Sequence, residues 1–261
     1  MTEKEYRAHP AVSRSELWRM KDSPEKFKYF KEHPEPPTDA LIFGQAFHEM
    51  VLQPDAFPSD FVIADTSSRK TKIYKQTAAE FPEQKALLSS ELEQLNAMNK
   101  KLQNMPFAQK LLSGEHETPF FWVDPLTGEE CKCRTDCLVN IGGQDYIVDL
   151  KTATNADNEH FQKDAIKYGY HLQAAMYSEG VKRAAGKSCK FVFLVVEKNS
   201  PYAINVFQAD DLFCQYGFDI FRELIGMYHE CKASDNWWGY LGKYDMVNGL
   251  SLPAWLAKEL E

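Results

Sequence analysis

The sequence contains no apolar run long enough to cross a membrane. A transmembrane helix needs about 20 consecutive apolar residues, and no segment of the 261-residue chain approaches that length. The N-terminal segment Met1–Glu5 also lacks the basic and then apolar order of a signal peptide. We therefore expect a cytoplasmic protein without a membrane partner.

Two common catalytic motifs are missing as well. No Gly-x-Gly-x-x-Gly or Walker-type phosphate loop is present, which argues against ATP-driven activity. No Gly-x-Ser-x-Gly elbow is present either, which argues against a serine hydrolase of that kind.

Basic residues are outnumbered by acidic ones, and the net charge is −8. This balance argues only weakly against a nucleic-acid partner, because binding needs a local basic strip and not a basic total. Two candidate strips are present, although each is also typical of an ordinary solvated surface. They consist of Arg69, Lys70, Lys72 and Lys75, and of Lys182, Arg183, Lys187 and Lys190.

The six cysteines are not arranged like those of a secreted, disulfide-linked protein. Cys131, Cys133 and Cys137 crowd together, and no cysteine precedes them. On a strand these three side chains would share one face, which favours thiols of the hydrophobic core. A zinc or iron–sulfur site is the alternative.

Apolar spacing and turn residues predict an α/β (α+β) chain with a mixed central sheet flanked by helices. Helices are predicted over residues 13–33, 38–52, 83–112 (interrupted near Pro106), 158–185 and 210–232, and strands over 118–123, 129–139, 146–151, 190–198 and 202–208. Residues 67–75 are predicted to form a mobile basic loop. We expect a single domain over 1–261, mainly helical in 1–112 and with a catalytic sheet and C-terminal helices in 113–261.

Three charged residues on two predicted strands carry the functional argument. Asp149 and Lys151 share one face of their strand, and Asp136 lies on the strand before it. If the strands are neighbours, the three side chains converge. Carboxylates of this kind suit Mg²⁺, with Mn²⁺ as a substitute, and Lys151 can balance negative charge on a phosphodiester. An exposed ion pair worth about 0–1 kcal/mol is the alternative interpretation.

Four further residues can join this patch. Gln173 and Tyr177 are four residues apart and therefore share a helix face. His48 lies within an apolar helix and Glu117 at the start of a strand, so a core histidine and an exposed carboxylate are the alternatives for these two.

Taken together, these residues resemble the RecB-like nucleases of the PD-(D/E)XK superfamily, and the RecE-like (exonuclease VIII) exonucleases most closely. The superfamily pattern is a His, an Asp, an Asp-x-Lys and a Gln-x-x-x-Tyr. Further similar stretches extend almost from end to end of the chain. They are Ser13–Leu17 with Ser23-Pro24, Phe43–His48, Asp124–Gly128, Cys131–Arg134 with Asp136, Tyr170–Gln173, Phe191–Val195 and Leu250–Pro253.

The resemblance implies a PD-(D/E)XK restriction-endonuclease-like core with an N-terminal helical region. It implies His48, Asp136, Asp149 and the Leu150 carbonyl as metal-site groups, Lys151 as the catalytic lysine, Glu117 as an auxiliary acid, and Gln173 and Tyr177 as supporting residues. It also implies 5′-to-3′ degradation of linear duplex DNA, a ring-shaped homo-oligomer and a RecT-like single-strand annealing recombinase as partner.

Residues for DNA binding are less well defined. Ser13, Arg14 and Ser15 at a predicted helix start are candidates to grip a terminal phosphate. Arg134, on the strand of Asp136, and the basic loop with Arg69, Lys70 and Lys72 are further candidates. An endonuclease or single-strand nuclease of the same fold and a nuclease-inactive DNA-binding phage protein are the alternative functions.

Overall fold

The computed structural model describes residue 1, residues 3–244 and residues 246–252, so Pro253 of the last similar stretch lies outside the described residues. Eleven helices are present in the described chain: α1 Glu3–Ala8, α2 Arg14–Met20, α3 Pro24–Glu32, α4 Asp39–Leu52, α5 Phe57–Asp60, α6 Lys72–Glu80, α7 Ser89–Gln103, α8 Pro106–Leu111, α9 Asn158–Lys167, α10 Tyr170–Ala185 and α11 Asp211–Ser234. Eight strands accompany them: β1 Val12–Ser13, β2 Phe61–Ala64, β3 Lys85–Leu88, β4 Glu115–Val123, β5 Glu130–Ile141, β6 Gln144–Ala153, β7 Cys189–Glu197 and β8 Ile204–Gln208. Within the same residues, no helix is both long and apolar enough to cross a membrane.

A mixed sheet of six strands forms the centre of the molecule. Its order is β1-β5-β6-β7-β8, with β4 also paired to β5, and only the β1–β5 and β6–β7 pairs are parallel. One hydrophobic cluster joins the sheet to α2, α3, α10 and α11, and a second cluster joins it to α4, α7 and α8. Helices therefore cover both faces, and β2 and β3 form a separate parallel pair.

One edge of β5 is shared by two strands that leave an opening between them. Because β4 pairs with β5 from Glu130 to Leu138, the other edge must accommodate both β1 and β6. There β1 pairs with Cys131 and Lys132, whereas the pairing of β6 begins only at Cys137. Residues 133–136 therefore face a fork in the sheet, and we call this opening the β5 fork.

Three predicted helices differ from those in the structure. The predicted helix 13–33 is two helices, because Ser23 caps α3 and Pro24 occupies its first turn. The predicted helix 158–185 is broken at Gly169, whose φ of 68° is left-handed and whose missing side chain makes room for the Trp18 ring. The predicted helix 83–112 is wrong at its start, which forms β3, whereas its interruption near Pro106 is found between α7 and α8.

The basic segment 67–75 is not a loop throughout, because Thr71 caps α6 and residues from Lys72 onward are helical. No helix was predicted here because the segment is polar and basic.

The three clustered cysteines are buried, but they do not share one face as predicted. Cys131 and Cys133 pack in the cluster with α10 and α11, whereas Cys137 packs in the cluster with α4 and α8. The alternation changes near Asp136, opposite Glu117, whose φ is 51°. Burial raises the pKa of the Cys131 thiol to about 12 and that of Cys137 to about 11, as expected for core thiols.

The turn before β5 is fastened to α11 by a buried ion pair. Asp124 is 2% exposed and binds the guanidinium of Arg222, with one nitrogen–oxygen distance of 3.1 Å. It also accepts hydrogen bonds from the backbone and hydroxyl of Thr127. Burial by itself raises the pKa of Asp124, but these donors outweigh burial and hold the pKa below its usual value.

We expect Arg222→Ala to lower the free energy of unfolding by about 1–3 kcal/mol at pH 7, because a buried charge loses its partner. The pKa of Asp124 is lower in the folded than in the unfolded protein, so this stabilisation is present above the unfolded pKa of about 3.9. It is lost as the pH falls through the folded pKa. Urea unfolding at pH 7 and pH 3 should therefore show a smaller difference at pH 3, and an equal difference at both would contradict the assignment. Arg183→Ala, in the exposed pair with Glu179, is the control.

Candidate active site

The predicted charged patch is formed at the β5 fork. Cys137 and Val148 form the last regular pair of β5 and β6 at this end of the ladder. Asp136 and Asp149 lie immediately beyond that pair. Asp136 instead accepts a hydrogen bond from the backbone N–H of Leu150 at 2.7 Å. The Lys151 ammonium is 2.5 Å from the Asp149 carboxylate. The structure therefore brings Asp136, Asp149 and Lys151 together, as expected if the two strands are neighbours.

Asp149 and Lys151 form a buried ion pair and not a surface one. Asp149 is 1% exposed. Burial raises its pKa, the charge of Asp136 raises it further, and Lys151 opposes both effects. Burial alone would lower the pKa of Lys151, but the neighbouring Asp149, Tyr170 and Asp136 outweigh it and keep the pKa above its ordinary value. Lys151 is therefore a fixed cation at neutral pH.

A group of possible metal ligands lies beside this pair. His48, Glu117 and Asp136 each offer one ligand atom, and these atoms all lie within 4.8 Å of one another. His48 comes from α4, and its Nδ1 is 3.3 Å from Asp136. Two carboxylates and an imidazole, set among partly buried residues, are donors that a divalent cation accepts. The residues present therefore fit a metal ion.

Only one of Asp149 and Glu117 lies in this ligand group. Asp149 lies outside the group, and its oxygens face Lys151 and Gln173, so its role as a metal ligand stays a prediction. Glu117 is in the group, although it was predicted as an auxiliary acid. Its left-handed backbone is unfavourable for a residue with a side chain, by about 1 kcal/mol, which is typical of functional positions.

Helix α10 packs on the sheet and contacts both members of the Asp149–Lys151 pair. The amide nitrogen of Gln173 donates to Asp149 at 2.5 Å, so Gln173 reaches the predicted patch. The ring of Tyr170, one turn earlier, lies 4.8 Å from the Lys151 ammonium in a cation–π contact. Tyr177 packs in the core near Phe191, and burial raises its pKa well above the usual value. No hydrogen bond joins its hydroxyl to the patch within the described residues.

The predicted DNA-binding residues near the site are already engaged. The hydroxyl of Ser13 caps α2 and donates to Glu16 at 2.7 Å, and it lies 3.3 Å from that of Ser15. Arg14 donates to Gln173 at 3.0 Å. Arg134 forms an ion pair with Glu117 at 2.7 Å.

The basic segment holds the second group of predicted DNA-binding residues. Arg69 pairs with Asp39 at 3.0 Å and with Glu91 at 2.9 Å, so its charge is balanced by α4 and α7. Lys70 and Lys72 are exposed. In the predicted strip, the positive charges that remain exposed to a DNA phosphate are therefore those of the lysines.

Comparison with known proteins bears on this arrangement. Residues 13–249 match the model of a family described as a PDDEXK-like domain of unknown function (DUF3799). The chain belongs to this PDDEXK-like family. The predicted membership of the PD-(D/E)XK superfamily is thereby confirmed. No curated protein matches the chain.

One solved structure agrees with the family in fold. A protein named "Putative exonuclease" from Eubacterium rectale has a TM-score of 0.65 and 16% identity, over 99% of this chain and 97% of that chain. A second structure, SSO0001, has a TM-score of 0.41 and 12% identity over 86% of this chain and 81% of that one, which is too low to support an inference. The predicted mixed sheet flanked by helices is confirmed for this PDDEXK-like protein.

Two contacts in the PDDEXK-like site were missed from the sequence. These are the Tyr170 ring over Lys151 and the bond from Arg14 to Gln173. An aromatic residue three positions before Gln173 was the available signal for the first. Nothing in the spacing indicates the second, because the two residues are 159 positions apart.

Proposed function

We propose that this PDDEXK-like protein is a divalent-metal-dependent exodeoxyribonuclease that degrades linear duplex DNA. The observation that carries the proposal is the convergence of Asp136, Asp149 and Lys151 at the β5 fork, beside His48 and Glu117. Such a site suits hydrolysis of a phosphodiester, because it combines hard metal ligands with a fixed cation.

Lys151 has the role of stabilising negative charge at the scissile phosphate. Its raised pKa keeps it protonated, so it acts as a cation and not as a general base. Asp149 and the Tyr170 ring hold the ammonium in place. Gln173 in turn holds the Asp149 carboxylate, which limits the positions that Lys151 can occupy.

His48, Glu117 and Asp136 would hold the metal ion, and Asp149 and the Leu150 carbonyl are proposed from the resemblance as further ligands. A bound Mg²⁺ or Mn²⁺ supplies an activated water and shields the charge of the phosphate. The backbone N–H of Leu150 donates to one oxygen of Asp136, which holds this carboxylate in place at the β5 fork.

The finer parts of the proposal rest on the resemblance to RecE-like exonucleases. They are Mg²⁺ as the metal, 5′-to-3′ polarity, 5′-phosphate products and 3′ single-stranded tails for recombination. A ring-shaped homo-oligomer on double-strand ends and a RecT-like annealing partner complete it. Lys70, Lys72 and Arg134 are proposed to contact DNA phosphates.

The test compares linear with covalently closed circular duplex DNA, in Mg²⁺, in Mn²⁺ and in EDTA, for the wild type and for Asp136→Asn. We expect loss of the linear DNA alone, only with a metal ion. Asp136→Asn should reduce the rate by about 10²-fold or more, because a ligand carboxylate is lost. Release of label from 5′ ends before 3′ ends would support the polarity.

Cutting of the circle would instead indicate an endonuclease, and preference for single strands a single-strand nuclease. A folded wild-type protein that cleaves none of these substrates with either metal would overturn the proposal in favour of a DNA-binding role.

A further inference from the structure

Arg14 lies at the β5 fork, although it is distant from the site in sequence. It follows Ser13, which pairs with Lys132 of β5, and it begins α2. Its guanidinium donates to the side-chain oxygen of Gln173 at 3.0 Å and to the carbonyl oxygen of Tyr168 at 3.3 Å. Both acceptors are neutral, and both belong to the segment that leads into or forms α10.

The chemistry of the three side chains permits only one orientation of the Gln173 amide. Arginine has donors alone, and an ionised carboxylate has acceptors alone. Gln173 lies between Arg14 and Asp149, so its oxygen must face Arg14 and its nitrogen must face Asp149, as observed. A reversed amide would place N–H against the guanidinium and oxygen against the carboxylate. Arg14 thus determines which Gln173 atom meets Asp149.

This orientation has a consequence for the catalytic pair. Gln173 occupies one oxygen of Asp149, and Lys151 occupies the other. We propose that Arg14 is a positioning residue that acts through Gln173 to hold the Asp149–Lys151 pair, and that it is not primarily a DNA-phosphate ligand. The effect on turnover rests on the proposed nuclease function.

Kinetics on linear duplex DNA separate these two roles. Arg14→Ala should lower kcat by about tenfold, the effect of one hydrogen bond that involves a charged group, with KM changed by less than about twofold. Arg14→Lys, which retains a donor, should restore part of the loss. Arg19→Ala removes a different arginine of α2 and should leave both constants unchanged.

A double-mutant cycle with Gln173→Ala is the decisive comparison. If Arg14 acts through Gln173, Arg14→Ala should have an effect of less than about twofold in the Gln173→Ala background. The same loss in both backgrounds, or a raised KM with an unchanged kcat, would overturn the proposal and favour phosphate binding.

The contact can also be tested without any activity. In ¹⁵N spectra, the Gln173 side-chain amide, assigned by its loss in Gln173→Ala, should show shifts far from those of a free glutamine. Arg14→Ala should move them towards the free values, whereas Arg19→Ala should not. An unchanged Gln173 signal in Arg14→Ala would overturn the positioning contact. Absence of DNA cleavage by the wild type would overturn the proposed function instead, and these spectra would still decide the contact.

Discussion

Replacing Lys151 by alanine is expected to lower the rate of DNA cleavage by about 10²–10³-fold, the usual effect of removing one charge-stabilising group from an active site. Lys151 is the cation held between Asp149 and the Tyr170 ring, and its neighbours keep it protonated. Single-turnover cleavage of linear DNA at saturating protein measures this effect on the chemical step.

The same substitution should also lower stability, because Asp149 is left buried without its partner. The loss of one member of a buried ion pair costs about 3–5 kcal/mol, and the raised pKa of Asp149 limits this cost by favouring protonation. Lys151→Gln separates the two effects, since it leaves a neutral donor for Asp149 but removes the charge. We expect this variant to fold and to be as inactive as Lys151→Ala.

Lys163→Ala is the matched control, because Lys163 pairs with Glu159 on the exposed surface of α9. Its cleavage rate should equal that of the wild type. If folded Lys151→Gln also cleaved DNA at the wild-type rate, Lys151 would have no catalytic role.

Gly217→Ala, on α11, is expected to destabilise the protein strongly. A Cβ atom at Gly217 would overlap the backbone carbonyl of His171 in the first turn of α10. Backbone cannot move aside as a side chain does, so we expect a loss of about 3 kcal/mol and a fall in Tm of about 10 °C. Thermal unfolding followed by circular dichroism measures it.

Gly226→Ala on the same helix provides the control, because nothing lies within 4 Å of the added Cβ. Alanine favours a helix more than glycine does, so this variant should be stabilised by about 0.5–1 kcal/mol. If both variants shifted Tm in the same direction by the same amount, the close approach of α10 and α11 would not be the cause.

Gly217 also affects the site, since α10 carries both Tyr170 and Gln173. Displacement of its first turn would move the Tyr170 ring away from Lys151. We therefore expect Gly217→Ala to lower cleavage even at temperatures at which it remains folded, whereas Gly226→Ala should not.

The sequence by itself determined the features that depend on short-range regularity. Side chains alternate along a strand, so Asp149 and Lys151 were predicted on one face and Val148 and Leu150 on the other, as the structure shows. The structure pairs β4, β5 and β6 as neighbours, which meets the condition under which Asp136 was predicted to converge with Asp149. Neighbouring residues alone were enough to assign the faces of β6, but not the pairing of the strands.

Only the tertiary structure decided what meets at the β5 fork. The alternation rule failed near Asp136, where the left-handed Glu117 lies opposite, and so it assigned Cys137 to the wrong face. The link from Arg14 through Gln173 to Asp149 joins β1, α10 and β6, whose contacts are set by packing and not by spacing along the chain. A periodic pattern shows which face a residue occupies, but it carries no information about which distant element covers that face.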